Sequence, residues 1–529
     1  MSIESKQDPT TIIWKVGDSI PSEFPPNPFL SCFIPRPTAW LNVFAEDGGS
    51  CQVALLQGYN GASDHPPAIM FSSKALPPCV LRSLLKHKRC SLSLATTSEK
   101  DSLLKAAAPT PMENHGPALS LEELGFTPAP IPSSLIEFDK QKGIENTLDI
   151  RPPAIDESPV QLYCMLSGRV SLDPEDDADT RTECFDMDYD KDTMLILEFE
   201  HFVFKKHTLV QQENVVNPAK DVFCDNVDLR RILAKIDARL IKPVISLGHD
   251  VSGKPRFGQL HDNDVHHMYR PIYDRKESEW IVDTFRKAPK IEPQLINTFP
   301  EDIEFNYASE PYCRLGYNPT KQIVMPRPIG WLSSYSTLGV PHIAPYSFFS
   351  DVARSYPHMM CVAFIACRLD GGNIGGINSF KDAHRDAEEG GEFAWNMVTE
   401  EYAYEMNYSA APMPSEESEF EAASLEYVDS LDSTTCGSGG GVIKAPIVKH
   451  SPVVLECKYV KTVVIPKRLG PSKERDWFCI IGRVVAMRIQ SHILQSGPNG
   501  SAIDMNKLYP VTRLGYLQEY GVISDLEWE

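Results

Sequence analysis

Apolar residues along this chain gather in short runs of strand length. MMCVAFIAC (Met359–Cys367) is continuously apolar, with the length and composition of a buried strand. Residues 453–465 and 477–489 are long Val/Ile-rich segments that predict two more strands. Residues 330–335 and 341–349 flank Thr337-Leu338-Gly339, a turn signal, and predict a hairpin. Residues 381–389 are charged and helix-compatible, and Gly390-Gly391 supplies a C-cap. Residues 392–398 predict a strand. Thr399 is then placed to cap a helix whose first turn carries Glu400 and Glu401, suited to the positive end of the helix dipole. The expectation is a mainly β unit, with short helices covering the openings of a closed or partly open barrel.

The pattern occurs twice. FIPRPTAWL (33–41) is answered by VMPRPIGWL (324–332), and CSLSLATTSEKDSLLKAAAP (90–109) by FAWNMVTEEYAYEMNYSAAP (393–412) without a gap. ESPVQLYC (157–164) is answered by HSPVVLEC (450–457), and IKPVISLG (241–248) by LYPVTRLG (508–515). One proline-containing octamer would mean little. Four in the same order, at nearly the same spacing, predict a tandem duplication rather than one large domain. The first copy is assigned residues 20–250 and the second 305–529. Residues 251–304, rich in Asp, His and Pro, read as a linker or excursion. The acidic run 173–192 and the stretch 429–441, ending in CGSGGG, are expected to be mobile inserts.

The chain has 529 residues, 42% hydrophobic and 23% charged, ordinary values for a globular protein with more than one core. Its net charge of −21 repels nucleic acid and anionic lipid, so neither is an expected partner. A bound phosphate would need a local cluster of donors. The 13 cysteines are odd in number and lack framework spacing or paired CxxC motifs, as expected of reduced thiols in a cytoplasmic protein. The N-terminal residues MSIESKQDPTT carry no secretory signal, and no run of about 18 apolar residues predicts a membrane span.

Three clusters in the second copy suit a phosphorylated aromatic ligand. Ser333-Ser334, followed by Ala344-Pro345-Tyr346-Ser347-Phe348-Phe349, bring hydroxyls and aromatic faces onto adjacent hairpin strands. Hydroxyls and backbone N–H groups bind phosphate oxygens, while apolar and aromatic walls cover a flat ring. A plain amphipathic hairpin has the same pattern. Ser379-Phe380-Lys381-Asp382-Ala383-His384 stand at a predicted helix start, where free N–H groups meet an anion and Lys381 can add a charge-assisted bond. An ordinary solvated first turn reads alike. Arg513, in YPVTRLGY, suits the carbonyl edge of a ring that gains negative charge on reduction, or is a surface arginine in a turn.

In order, PRPIGWLSS, PHIAPYSFFSDVA, NSFKDAHRD, GEFAWNMVTEEYAYEMN, SPVVLECK, FCIIGRVVAMRI and LYPVTRLGY resemble the flavin-reductase-like, or flavoredoxin-like, FMN-binding split barrels. The resemblance covers nearly the whole second copy. It implies two tandem Greek-key split β-barrels with short helices, FMN as prosthetic group or substrate, and dimers with flavin near the subunit interface. By the family motif, Ser333, Ser334, Ala344, Tyr346, Ser347 and Phe348 line the FMN site. Ser379, Lys381 and Asp382 hold the phosphate end, and Arg513 lies near the flavin or its ribityl chain. One departure is Ala383, where the family often has Thr or Ser. The glycine-rich stretch 370–376 offers backbone N–H groups in compensation, or is simply a loose loop.

The first copy lacks these groups. CQVALLQGY (51–59) stands opposite PHIAPYSFF, Pro78 and Cys79 opposite Lys381 and Asp382, Ser93 opposite Asn396, and Ser246 opposite Arg513. Proline has neither a backbone N–H nor a charge to offer. The first copy is therefore expected to keep the fold without holding FMN. The two halves are expected to pack as an intramolecular pseudo-dimer, the first supplying a wall of one flavin site; a homodimer of whole chains stays open.

The implied activity is that of a flavin-reductase-type oxidoreductase, passing electrons from NAD(P)H through FMN to an unidentified acceptor. No GxGxxG follows a strand, so NAD(P)H would bind transiently, and no side chain is needed as a nucleophile or catalytic residue. The alternative is a non-catalytic flavin-binding or scaffold protein on the same fold. His261, His266 and His267, with Asp262 and Asp264, match no metal motif and read as a polar loop. The scattered cysteines Cys32, Cys51, Cys79 and Cys90 lack an acid–base partner motif.

Overall fold

The structure is a computed structural model of the chain. It describes residues 11–527 apart from 65, 174–190, 213–232, 262–264, 269–271, 275–278, 282–285, 288–301, 308–318, 356–358, 368–381, 412, 433–440, 466–476 and 516–518. Both expected mobile inserts fall largely outside the described residues, as does part of the His/Asp loop.

The first half runs β1 (Thr11–Lys15), β2 (Arg36–Phe44), β3 (Cys51–Gln57), β4 (Asn60–Asp64), β5 (Pro67–Ser72), helix α1 (Pro78–His87), β6 (Arg89–Leu94), β7 (Val160–Ser171), β8 (Thr193–Phe204), β9 (Ile245–His249) and β10 (Pro255–Leu260). The second runs β11 (Ile303–Asn306), β12 (Gly330–Tyr335), β13 (Pro341–Tyr346), β14 (Phe349–Ser355), β15 (Met359–Cys367), helix α2 (Asp382–Gly390), β16 (Glu392–Asn396), β17 (Val453–Ile465), β18 (Trp477–Gln490), β19 (Val511–Arg513) and β20 (Glu519–Asp525). Neighbours in the first sheet follow the order β3–β2–β6–β7–β8–β5–β4, and in the second β13–β12–β16–β17–β18–β15–β14. The two orders are the same, strand for strand, so the chain is a mainly β tandem duplication of one split barrel.

The correspondence reaches local detail. The β7/β8 ladder shifts register at Tyr163/Cys164 and Leu166/Gly168, and the β17/β18 ladder at Glu456/Cys457 and Tyr459/Lys461. Such bulges bend long strands, which lets each sheet curl toward a barrel. Helix α2 ends at Gly391, with φ at +72°, a left-handed position glycine enters without strain. Lys88 takes the corresponding position after α1, with φ at +56°.

Three details differ from the sequence reading. Phe349 belongs to the next strand rather than to the hairpin. Thr399 makes no side-chain cap; a 3-10 turn (Glu400–Tyr402) precedes the helix Ala403–Tyr408. The stretch read as a linker includes β10, which pairs with β9 on one side and with β20 on the other, Gly258 opposite Asp525, and so stitches the two halves together.

The halves exchange their leading strands. β1 precedes the first half but pairs with β18 of the second, Thr11 opposite Gln490. β11 precedes the second half but pairs with β8 of the first, Ile303 opposite Phe204. Between the sheets lies a shared apolar cluster: Ala62, Met70, Met194 and Ile196 from one half, Phe348, Val352, Ala363 and Ile481 from the other. Gly61 lies under the Phe348 ring; a Cβ there would come within 2.4 Å of it. Asn60 Nδ2 donates to the Phe349 carbonyl at 2.7 Å, and Asn114 Nδ2 to that of Arg354 at 2.9 Å.

Candidate functional site

The candidate residues sit on the β12–β13 hairpin, the start of α2 and β19. Strand alternation sends the adjacent serines to opposite faces, and both faces are buried. Ser333 Oγ donates to the Pro446 carbonyl at 2.6 Å and accepts from Asn396 Nδ2 at 2.9 Å. Ser334 Oγ donates to Asp386 Oδ2 at 3.4 Å. Both residues are fully buried. This departs from the expectation that they line a ligand site: each hydroxyl is engaged inside the protein, because neither face of β12 is open.

Tyr346 is buried, with its ring 4.8 Å from that of Phe364. Phe348 is buried in the shared cluster between the halves, with the Arg327 guanidinium 5.7 Å from its ring centre. Ala344, Ser347, Asp382 and Arg513 are half-buried and form the accessible part of the set. Arg513 lies 4.4 Å over the Tyr520 ring, and its backbone exchanges hydrogen bonds with Arg327. Asp382 opens α2, and its carboxylate pairs with Arg385 at 2.9 Å, which leaves backbone N–H groups of the first turn as its offering to an anion. Ser379 and Lys381 lie outside the described residues. The structure therefore groups Ser334 and Asp382 around α2, and places Ser333, Phe348 and Arg513 in separate surroundings.

Sequence reasoning missed a buried polar cluster behind the hairpin. His342, opposite Ser334 on β13, directs Nδ1 at Asp386 Oδ2 (2.6 Å) and Nε2 at the Ser415 carbonyl (3.1 Å). Both ring nitrogens face acceptors, an arrangement that suits the imidazolium. Arg385 reaches Asp386 at 3.0 Å, and Glu419 accepts from the Ile343 N–H at 3.2 Å. Burial lowers the His342 pKa, but the Asp386 hydrogen bond and the charges of Glu419, Asp386 and Asp382 outweigh it and raise it. Burial pushes Glu419 up to about 7 against the opposing pull of His342. The only sequence signal was the polar His342 inside an apolar strand. The cluster fixes α2, and with it the start of the helix, against the hairpin.

Among the described residues, no group of three His, Cys, Asp or Glu side chains is arranged to hold a metal, and His266 and His267 form a strand pair with Tyr520 and Glu519. No helix among the described residues is long and apolar enough to cross a membrane.

A family described as "Flavin reductase like domain" matches residues 323–508. An uncharacterized protein of Aquifex aeolicus is 31% identical over 202 residues, which cover 38% of this chain and 87% of that protein. One from Halalkalibacterium halodurans is 33% identical over 198 residues, covering 37% and 82%. Among solved structures, nitrilotriacetate monooxygenase component B from Bacillus cereus is similar at 28% identity, with 40% of this chain and 89% of that chain covered and a TM-score of 0.31.

Proposed function

The chain belongs to the flavin reductase-like family, and from that premise we propose that its second half binds one FMN and passes electrons from NAD(P)H through it to a small-molecule acceptor. The observation that carries the reading is the start of α2. The helix begins at Asp382, immediately after Ser379-Phe380-Lys381, and it is clamped to the hairpin through Asp386. A phosphate set there meets first-turn N–H groups and the positive end of the dipole in a chain that otherwise repels anions. Ser347 and Arg513, half-buried on other elements, are the further polar groups that this reading assigns to the flavin. This reading makes no use of the hydroxyls of Ser333 and Ser334, which are bonded inside the protein.

Bound FMN would supply the hydride and electron chemistry. The chain's own work is to orient it. Lys381 and the α2 N–H groups hold the anionic end, and Arg513 places positive charge where a reduced ring needs it. Each sheet and the shared core keep water from the buried side. The first half carries Pro78 and Cys79 at the α1 positions that match Lys381 and Asp382, so it serves as structural partner to a single flavin site. Ala383, 3% exposed, adds no hydroxyl, which favours a second reading, a flavin binder without turnover.

Titration of the full chain with FMN is expected to saturate at one equivalent, and the loaded protein is expected to oxidise NAD(P)H. Bound flavin that NAD(P)H does not reduce would favour the second reading, and two equivalent sites would overturn the single-site assignment. Lys381→Ala is expected to weaken FMN binding by about 1.5–3 kcal/mol, the range for a hydrogen bond to a charged group. Wild-type affinity in that variant would place the phosphate elsewhere.

A further inference from the structure

The corner of the first half that matches Arg327, Ser347 and Arg513 has been rebuilt rather than merely lost. Arg36 corresponds to Arg327, Gln57 to Ser347 and Ser246 to Arg513; the pairings Ala39–Leu56 and Gly330–Tyr346 place these residues in register. In the second half, the Arg327 guanidinium is taken up by the carbonyls of Lys321, Val324 and Leu514 at 2.6, 2.8 and 2.9 Å. In the first half, serine stands where Arg513 would be, and a narrow cleft of about 20 Å³, room for about one water, opens beside Arg36.

Three residues on that cleft carry buried polar atoms without hydrogen-bond partners. Arg36 is 2% exposed; its Nη2 donates to Ser246 Oγ at 2.9 Å, and its Nε has no hydrogen-bond partner. Asn27, also 2% exposed, uses Oδ1 to cap Leu30 and leaves Nδ2 unpaired. Asn114 Oδ1 is unpaired as well. Among the described residues, no carboxylate lies within ion-pair distance of Arg36; Asp351, the nearby acid, is paired with Arg354. The other charged groups on the cleft are committed or solvated. Arg256 is bound to Asp525, His249 Nε2 faces the Ala108 carbonyl at 3.0 Å, and Glu113 is exposed. Burial and the charge of Arg354, against the opposing pull of Asp351, push Arg36 down to about 9.

A buried guanidinium without a counter-charge is costly, and an anion supplied from outside offsets that cost. We infer that the first half holds a small oxyanion, a carboxylate or phosphate group, on Arg36 Nε with Asn27 Nδ2 as second donor. The planar guanidinium fork suits two oxygens of one group. The cleft takes one oxygen of the group, and the rest would lie at its mouth, open to solvent. The site lies at the joint between the halves, since Arg354 of the second half donates to the Gln57 carbonyl beside it. It is distinct from the proposed flavin site, and its test needs no flavin.

The test uses the full chain with sodium phosphate and sodium acetate as probes, against sodium chloride at equal ionic strength. One of the two oxyanions is expected to raise the melting temperature saturably beyond the chloride control, and which one does so identifies the group. Ser246→Arg, which puts the second half's residue into the corner, is expected to weaken this binding about tenfold or more, as is Arg36→Met. A crystal grown with the active oxyanion is expected to show it within hydrogen-bond distance of Arg36 Nε. Equal effects of all three salts, an unchanged response in Ser246→Arg, or water alone beside Arg36 in the crystal would each overturn the inference. Should Arg36→Met fail to fold, Ser246→Arg and the crystal still decide.

Discussion

Residues 305–529 produced alone are expected not to fold, although they contain the whole of the family match at 323–508. The isolated segment loses β1, which covers one edge of β18 and brings the buried Trp14 with it. It also loses the opposite side of the shared core. Phe348, Val352, Ala353, Ala363, Val463 and Ile481, all buried, pack in one cluster with Ala62, Ala68, Met70 and Ile196 of the first half. Re-exposing a Val, Leu, Ile or Phe side chain costs about 1.5–3 kcal/mol. Several at once exceed the roughly 5–15 kcal/mol that holds a typical domain folded. Residues 1–300 co-produced with 301–529, a division that keeps β11 whole, are expected to restore the fold, because the exchanged strands need no covalent link. Circular dichroism and urea titration decide the matter: a cooperative unfolding transition in 305–529 alone would mean that the exchange is ornamental. A milder version is Trp14→Ala, expected to cost about 3–5 kcal/mol and to lower the urea midpoint of both halves together.

That interdependence was invisible in the sequence, whereas the duplication was plain. The repeated segments lie at or beside strand ends where Pro, Gly and Trp meet fixed backbone geometry, so they have stayed alike. TIIWK and IEFN are too short and too ordinary to announce their partners; alternation identifies a strand but not the sheet that receives it. The burial of the serine pair was hidden for a related reason. The sequence reading grouped Ser333 and Ser334 as hydroxyls for one ligand; strand alternation sends them to opposite faces of β12, and the packing of β16 and α2 closes both. The end of α2 was legible to within one residue because a Gly-Gly stop after a charged run is a local signal. His342, Asp386 and Glu419 come from three separate segments, and no spacing rule links them. Arg36 was hidden by its own motif: PRP is the same in both halves, and the difference in its surroundings comes from Ser246, far along the chain.

Asp386→Ala is expected to destabilise the protein by about 3–5 kcal/mol, the usual cost of leaving a buried ionic partner uncompensated. Asp386 is fully buried and accepts from His342, Ser334 and Arg385, so its removal strands a buried imidazolium and loosens α2 from the hairpin. The pH dependence separates charge from packing. His342 has a folded pKa above its unfolded value of 6.5, so its contribution is fully present below 6.5 and fades as pH rises through the higher folded value. Glu419 is raised from 4.5 to about 7; its contribution is likewise present below 4.5 and is lost as pH climbs to about 7. Both groups therefore make this cluster more stable in mild acid than in mild base. Asp386→Asn keeps the shape and removes the negative charge. Burial then works on His342 with less opposition, so its pKa falls and the high-pH part of the loss flattens. Urea stability measured from pH 5 to 9, with the His342 resonance followed by NMR, tests this. An identical slope in Asp386→Asn and wild type would show that the pair is not ionised in the folded state, and that the helix start beneath the proposed phosphate site is held by packing alone.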